Sequence, residues 1–236
     1  MSDFFSWQRV IENFPVLIVK LPVTFQIVAV SFSAGLVLAL FIATARIKKI
    51  PVVNQILSVF ISFERGTPLL VQMLVVYYAL PIVLYSFFNI DTRRWEKIIF
   101  VDLALILNQG VFLGEIFRGA ILSIPKGQKE AALACGLSEF NSFLKIVLPQ
   151  AARVALPSTG LTLIGLFKET SLVFMIGVID IIGRANALGA STGHNLESYL
   201  IIAFLFVAIN FVLTAITTKI DKNLTYGAKS LKGDRA

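Results

Sequence analysis

The chain has 236 residues, of which 57 % are apolar, and its formal net charge is +7. A soluble domain is usually closer to half apolar, and several runs here approach the roughly 20 apolar residues that cross a bilayer. The composition therefore excludes an ordinary soluble domain and predicts a multi-pass membrane protein. One cysteine and one histidine allow no internal disulfide and disfavour a metal site, so we expect no metal ligands.

Apolar runs separated by polar or proline-containing breaks predict five membrane spans. They cover residues 24–45, 68–88, 98–122, 157–182 and 198–218. Residues 51–63 form a further helical stretch, which Gly66 and Pro68 separate from the second span. Residues 183–197 are rich in glycine, alanine and asparagine, and we interpret them as an outer loop. The fold class predicted is an all-α membrane protein with five transmembrane helices.

The basic residues lie mainly on one side of the predicted spans. Segments 46–65, 118–153 and 219–236 together hold 14 of the 21 Lys and Arg residues, and the opposite side holds six. The positive-inside rule then places the N-terminus outside and the C-terminus in the cytoplasm. The predicted organisation is an amphipathic lead-in at 1–21, a transmembrane domain at 22–220 with a cytoplasmic loop at 123–154, and a basic tail at 221–236. The charge pattern does not indicate nucleic acid.

The cytoplasmic loop contains two helical patterns joined by a glycine. Residues 128–135 form a short helix rich in alanine, and Gly136 suits the left-handed conformation that ends helices. Ser138 is a suitable N-cap for a second amphipathic helix, which Pro149 is expected to end. Such a loop is either a docking surface for a soluble partner or a helical hairpin packed on its own spans.

The spacing in this loop resembles the EAA signature of permease subunits of ATP-binding-cassette (ABC) importers. The residues that match it are Glu130, Ala131, Ala132, Gly136, Ile146, Leu148 and Pro149. The resemblance implies the type I ABC importer permease fold, in which this loop is the coupling helix that contacts a separate ATPase. No G-x-x-x-x-G-K-[ST] motif occurs, so the chain is expected to be a non-catalytic subunit without a cofactor of its own.

Segments outside the loop resemble the branch of this family that imports polar amino acids. They are residues 65–72, 115–119, 127–128 and 168–172. The resemblance implies these partners: a dimer of ATP-binding subunits, an extracytoplasmic substrate-binding protein or domain, membrane lipid, and a second permease that is either another copy or a paralogue. It also implies a bacterial cell membrane. Residues 180–185 resemble importers of the cystine type, but the amino acid itself is left open.

Polar and charged residues inside the spans are candidates for a substrate pathway, because such groups usually face a cavity or one another. The candidates are Glu169, Thr170, Ser171, Asn108, Gln109 and Glu115. Hydrogen bonds between helices are the alternative role for these residues. Arg65, Arg118 and Lys168 are interpreted as structural charges, with Glu115 and Arg118 close enough along one helix to pair.

Two other function classes compete with the importer. A self-contained secondary amino-acid transporter would favour internal repeats and discontinuous helices in matching halves, and the sequence contains neither. An intramembrane enzyme would need a nucleophile with a base, or metal ligands. The leading prediction is therefore a permease subunit that moves a polar amino acid into the cell, driven by ATP hydrolysis on another subunit.

Overall fold

The computed structural model describes the backbone of residues 5–229 and the side chains of residues 5–222. Within that part of the chain all regular elements are helices, which agrees with the predicted class. The helices are α1 (Trp7–Ile18), α2 (Leu21–Lys48), α3 (Pro51–Gly66), α4 (Leu69–Phe88), α5 (Lys97–Leu122), α6 (Lys126–Ala134), α7 (Glu139–Ser142), α8 (Leu148–Glu169), α9 (Ile181–Thr192) and α10 (Leu196–Lys229).

Five helical segments are long and apolar enough to cross a membrane, which confirms the predicted number. They are Leu21–Lys48, Leu69–Phe88, Lys97–Leu122, Glu139–Ile176 and Leu196–Lys222. The break between α3 and α4 lies at Thr67 and Pro68, whose backbones are extended, as the glycine and proline there predicted. Residues 1–4 of the predicted lead-in and 230–236 of the predicted basic tail lie outside the described residues.

The predicted start of the fourth span was wrong. Neither Pro149 nor Pro157 interrupts the helix that runs from α7 into α8. A π-helical turn, Phe143–Val147, precedes Pro149, and the backbone N–H of Leu148 donates to the carbonyl of Phe143. The wider turn accommodates the proline ring and its missing N–H, so the chain continues without a break. The span then closes with a 3₁₀ turn, Thr170–Ile176, and Gly177.

The predicted outer loop at 183–197 was also wrong, because most of it is helix α9. The side chain of Asp180 accepts a hydrogen bond from the backbone N–H of Gly183 at 2.8 Å and caps the start of this helix. Gly193 ends it at φ +72°. Both capping residues are present in the sequence, but glycine and asparagine inside the helix obscured its pattern.

Helices α2 and α5 form the centre of the bundle and run parallel. Small residues bring their backbones close together: a Cβ added at Gly35 would lie 2.9 Å from the Cβ of Gln109, and one at Gly114 would lie 2.9 Å from the Cγ2 of Ile42. Such contacts replace the hydrophobic effect as the basis of helix association in lipid. These close approaches fix the position of Gln109 along the axis of the bundle.

The other helices surround this pair. Helices α4 and α8 complete the main core with α2 and α5, while α1 packs against α9 and α10 through Leu17, Ile181 and Ile201. Most residues of α4 and α10 remain uncovered and apolar, as expected of surfaces that face lipid or another membrane subunit. The α6 end of the bundle contains the turn at Gly136, and the opposite end contains α1, α9 and residues 89–96.

Candidate functional site

Three groups of residues are candidates for function. They are the α6–α7 segment (residues 126–142) at one end of the bundle, a polar cluster at its centre, and an ion-pair network between them. The α6–α7 segment folds as predicted. Gly136 has φ +83° and nothing within 4 Å of an added Cβ, and the hydroxyl of Ser138 accepts from the backbone N–H of Asn141 at 3.3 Å. Lys129 and Glu139 form a salt bridge of 2.5 Å between α6 and α7.

The faces of α6 differ in their surroundings. Ala132 is buried against the protein, whereas Glu130, Ala131 and Gly136 are exposed. In the following turns, Ile146 and Leu148 are half-buried and Pro149 is exposed. Phe140 on α7 is 70 % exposed. The segment therefore presents small side chains and one large aromatic ring, a surface that another protein's backbone can approach closely.

The polar cluster consists of Glu64, Gln72, Asn108, Gln109 and Glu169, contributed by α3, α4, α5 and α8. The amide of Asn108 donates to Gln72 Oε1 at 2.9 Å. The amide of Gln109 donates to Glu169 Oε2 at 3.2 Å and, more weakly, to Asn108 Oδ1 at 3.5 Å. The structure thus brings together three of the predicted pathway residues at the middle of α5.

Two members of the polar cluster were missed by sequence reasoning. The amide of Gln72 donates to the backbone carbonyl of Glu64 at 2.7 Å and to the carbonyl and hydroxyl of Thr67 at 3.1 Å and 3.0 Å. Gln72 therefore satisfies the backbone that the break between α3 and α4 leaves free. A glutamine and a glutamate beside an interruption in an apolar run were the signals that could have identified them.

In the polar cluster, two acceptor oxygen atoms have no N–H or O–H group to pair with. Glu64 and Gln109 are 5 % and 2 % exposed, yet Glu64 Oε2 and Gln109 Oε1 have no hydrogen-bond partner. Unpaired polar atoms in a buried site cost free energy unless a ligand or water completes them. Together with the half-buried carboxylate of Glu169, these oxygens can accept hydrogen bonds from an ammonium group.

The neighbours of Glu169 point elsewhere. Thr170 is fully buried, and its hydroxyl donates to the backbone carbonyl of Phe167 at 2.8 Å. Ser171 is half-buried, and Lys168 is exposed on another side of α8. Of the predicted stretch 168–171, Glu169 is the residue that joins the polar cluster.

The ion-pair network lies nearer the α6 end. Arg118 donates to the carboxylate of Glu115 at 2.7 Å, which is the pairing that the sequence predicted. Arg46 Nε lies 3.6 Å from the same carboxylate, and its Nη1 donates to Asn54 Oδ1 at 3.1 Å. Glu115 and Arg46 together thus connect α2, α3 and α5. Arg65, at the end of α3, is exposed.

The opposite end of the bundle has an exposed turn between α4 and α5. Arg93 donates to the carboxylate of Asp91 at 2.8 Å, and this hydrogen bond holds the pKa of Asp91 below its usual range. Among the described residues, no group of three or more His, Cys, Asp or Glu side chains is arranged to hold a metal ion.

Comparison with known proteins places these features in a family. Residues 35–226 match the family model described as "Binding-protein-dependent transport system inner membrane component". The chain is 40 % identical over 209 residues to the L-cystine transport system permease protein TcyL of Bacillus subtilis, which covers 89 % of this chain and 87 % of that protein. It is 33 % identical over 220 residues to the glutamine transport system permease protein GlnP of Escherichia coli, covering 93 % and 98 %.

Solved structures have the same fold. A crystal structure of an amino acid ABC transporter with histidines matches with a TM-score of 0.81 and 26 % identity, covering 93 % of this chain and 99 % of the other. A subunit of the MetNI methionine ABC transporter, in an inward-facing conformation, matches with a TM-score of 0.72 at 16 % identity, covering 90 % and 98 %. The five spans, the α6–α7 segment and these matches together identify the chain as a member of the family of inner membrane components of binding-protein-dependent transport systems.

Proposed function

We propose that this chain is the permease subunit of an amino-acid ABC importer and moves a polar amino acid past the polar cluster. ATP is hydrolysed on a partner protein that binds at the α6–α7 segment. The observation that supports it most is the coincidence of two features. One end of the bundle presents the exposed, small-residue helix α6, and the centre holds buried polar groups with unfilled hydrogen-bonding capacity. The chain's relatives act in cystine and glutamine transport, so both amino acids are suitable first substrates to test.

The α6–α7 segment is the proposed contact with the ATP-binding subunits. Ala131 and Gly136 leave room for the backbone of a partner, and Phe140 offers a large apolar side chain to a pocket. The salt bridge from Lys129 to Glu139 ties α6 to α7, and α7 continues through the π turn into α8. Movement of α6 would therefore reach Glu169, at the other end of α8, through a single continuous helix. ATP itself would be bound by the partner.

The polar cluster is the proposed substrate contact. Glu169 Oε2 accepts from Gln109, and the free Oε1 of Gln109 can accept from an ammonium group beside it. A buried carboxylate and amide oxygens are complementary to the α-ammonium group that every amino acid carries. Glu115, by contrast, is held between Arg118 and Arg46, so its proposed role is to position α2, α3 and α5.

The remaining assignments follow from the family and the charge pattern. The α6 end faces the cytoplasm, the N-terminus lies outside, and an extracytoplasmic binding protein delivers the amino acid to the opposite end of the bundle. A second permease subunit, either another copy or a paralogue, covers part of the exposed apolar surface of α4, α8 and α10. One chain with five spans encloses a pathway poorly, which supports a pair.

The experiment is purification of the tagged chain from detergent-solubilised membranes, followed by reconstitution into liposomes. We expect an ATP-binding protein to co-purify, and we expect uptake of L-cystine or L-glutamine to need that protein, the binding protein and ATP. A chain that purifies alone and transports an amino acid alone would contradict the proposal. That outcome would favour the self-contained secondary transporter instead.

A further inference from the structure

Helix α1, at the end of the bundle opposite α6, leaves an apolar stripe uncovered. The stripe consists of Trp7, Ile11, Phe14 and Ile18, which are all exposed. Trp7 and Ile11 are 74 % and 75 % exposed. Because successive residues project about 100° apart around a helix, these four side chains fall within about 60° of its circumference. They therefore form one continuous face of α1.

The remaining surface of α1 is divided into a protein face and a polar face. On one side of the stripe, Leu17 is fully buried, and the amide of Asn13 donates to Ser198 Oγ at 3.2 Å. On the other side, Gln8 and Glu12 are exposed, and the amide of Gln8 donates to Glu12 Oε1 at 2.8 Å. Water around the whole helix would contact the apolar stripe, whereas lipid around it would surround the glutamate. A boundary between lipid and water suits both faces.

Two hydrogen bonds define how α1 lies on the bundle. The backbone N–H of Ser6 donates to Glu197 Oε1 at 2.9 Å, and Asn13 bonds to the next residue of α10, Ser198. Ser6 and Asn13 are about 10 Å apart along α1, but their partners are only about 1.5 Å apart along α10. Helix α1 therefore crosses the start of α10 instead of running beside it. Since α10 crosses the membrane, α1 lies close to the membrane plane.

The length and composition of α1 point to the same location. Its 12 residues are about 18 Å long, which is too short for a hydrocarbon core of roughly 30 Å. Within the stripe there is no polar group that would fix the register of a protein partner, whereas tryptophan and large aliphatic side chains suit the membrane interface. The first turns of α10, which α1 crosses, also expose Leu200 and Phe204. Apolar side chains are thus exposed on both helices where they meet.

We propose that α1 is an anchor on the lipid surface. It lies in the headgroup region of the outer leaflet, with the apolar stripe against the acyl chains and its polar face toward water. Glu197 and Ser198, bonded to α1, hold the start of α10 at this depth. The partner of this surface is the bilayer itself, and the inference does not depend on the substrate or on ATP.

The test measures what surrounds the stripe. Ile11→Cys and Ile18→Cys on the stripe, and Gln8→Cys on the polar face as the matched control, each carry a nitroxide spin label. The transporter is purified with its accompanying subunits and reconstituted in phospholipid nanodiscs. The native chain, treated in the same way, supplies the signal of Cys135 and of other subunits for subtraction. All three substituted side chains are exposed, so the variants should fold normally.

The readout is the collision rate of each label with oxygen, which concentrates in lipid, and with a water-soluble nickel complex. We expect the oxygen-to-nickel ratio to be several-fold higher at Ile11→Cys and Ile18→Cys than at Gln8→Cys, and similar at the two stripe positions. Shielding of the stripe labels from both reagents would overturn the inference, because another subunit would then cover them. A nickel preference would place the stripe in water. A depth difference near 10 Å between the two stripe labels would mean that α1 enters the bilayer along its normal.

Discussion

The α6–α7 segment and the polar cluster place their candidate functional residues in opposite environments. In the α6–α7 segment, the candidate docking residues Glu130, Ala131 and Gly136 are exposed, and Gly136 has open space where a side chain would stand. In the polar cluster, Gln72, Asn108 and Gln109 are buried and bonded to one another, with two acceptor atoms left free. The first arrangement suits the docking of a protein partner. The second suits a small ligand that binds transiently and leaves.

The difference predicts that substitutions in the two regions will fail in different ways. A change in the polar cluster should alter transport without altering assembly, whereas a change on the exposed face of α6 should alter assembly first. Three substitutions test this separation, each beside a matched control, and a fourth tests the opposite end of the bundle.

The largest effect is expected from Glu169→Gln. The amide keeps the shape of the side chain and can still accept from Gln109, but it removes the negative charge that would bind an ammonium group. Uptake by the reconstituted complex should fall roughly 10- to 100-fold, while the free energy of unfolding changes by less than about 1 kcal/mol. The control is Glu12→Gln on the exposed face of α1, which should transport normally. Normal uptake in Glu169→Gln would remove Glu169 from the pathway.

Gly136→Ala should have the next largest effect, on coupling. A non-glycine residue at φ +83° costs about 1–2 kcal/mol, so the turn between α6 and α7 would shift toward other conformations. We expect uptake, measured together with ATP hydrolysis, to fall roughly 5- to 30-fold. Gly127→Ala is the control, because Gly127 is a helical residue with open space around an added Cβ. Equal behaviour of the two variants would show that the left-handed turn is not needed.

How much the sequence could predict differs between these two regions. The α6–α7 segment was predictable because its signals are local: alanines in one helix, a glycine to end it and a serine to begin the next. The five spans were predictable for the same reason, since each is a continuous apolar run. Helix α9 was missed although its caps, Asp180 and Gly193, are local too, because polar and small residues dominate its interior.

The polar cluster was only half predictable. Asn108, Gln109 and Glu169 could be selected individually as polar residues within spans, but their contacts join positions up to 60 residues apart. Gln72 donates to the backbone carbonyl of Glu64 at the break between α3 and α4. Its role therefore depends on the path of the chain between these two helices. The π turn before Pro149 likewise depends on packing, because the sequence alone cannot specify whether a proline ends a helix or is accommodated.

A pair of adjacent alanines on α6 separates assembly from folding. Ala132 is 7 % exposed and packs against the chain itself, so Ala132→Leu should overpack that contact and lower the free energy of unfolding by about 1–3 kcal/mol. Ala131 is exposed, so Ala131→Leu should leave the isolated chain as stable as the native one. We expect Ala131→Leu instead to weaken binding of the ATP-binding subunit several-fold. Thermal unfolding of the chain alone, beside co-purification of the partner, distinguishes the two. An Ala131→Leu complex that assembles normally would contradict the proposed docking face.

The smallest effect is expected at the opposite end of the bundle, from Asp91→Asn. The hydrogen bond from Arg93 lowers the pKa of Asp91 in the folded protein. The stabilisation that this hydrogen bond contributes is therefore complete above the unfolded-state pKa of about 3.9. It is lost as the pH falls through the lower folded-state pKa. Because both side chains are exposed, solvent and salt screen the pair, and Asp91→Asn should not change Tm measurably at pH 7. Uptake with the binding protein present is the second measurement. A stable variant whose uptake falls only when the binding protein is required would place the delivery site at this turn, whereas equal uptake would move the search to α9.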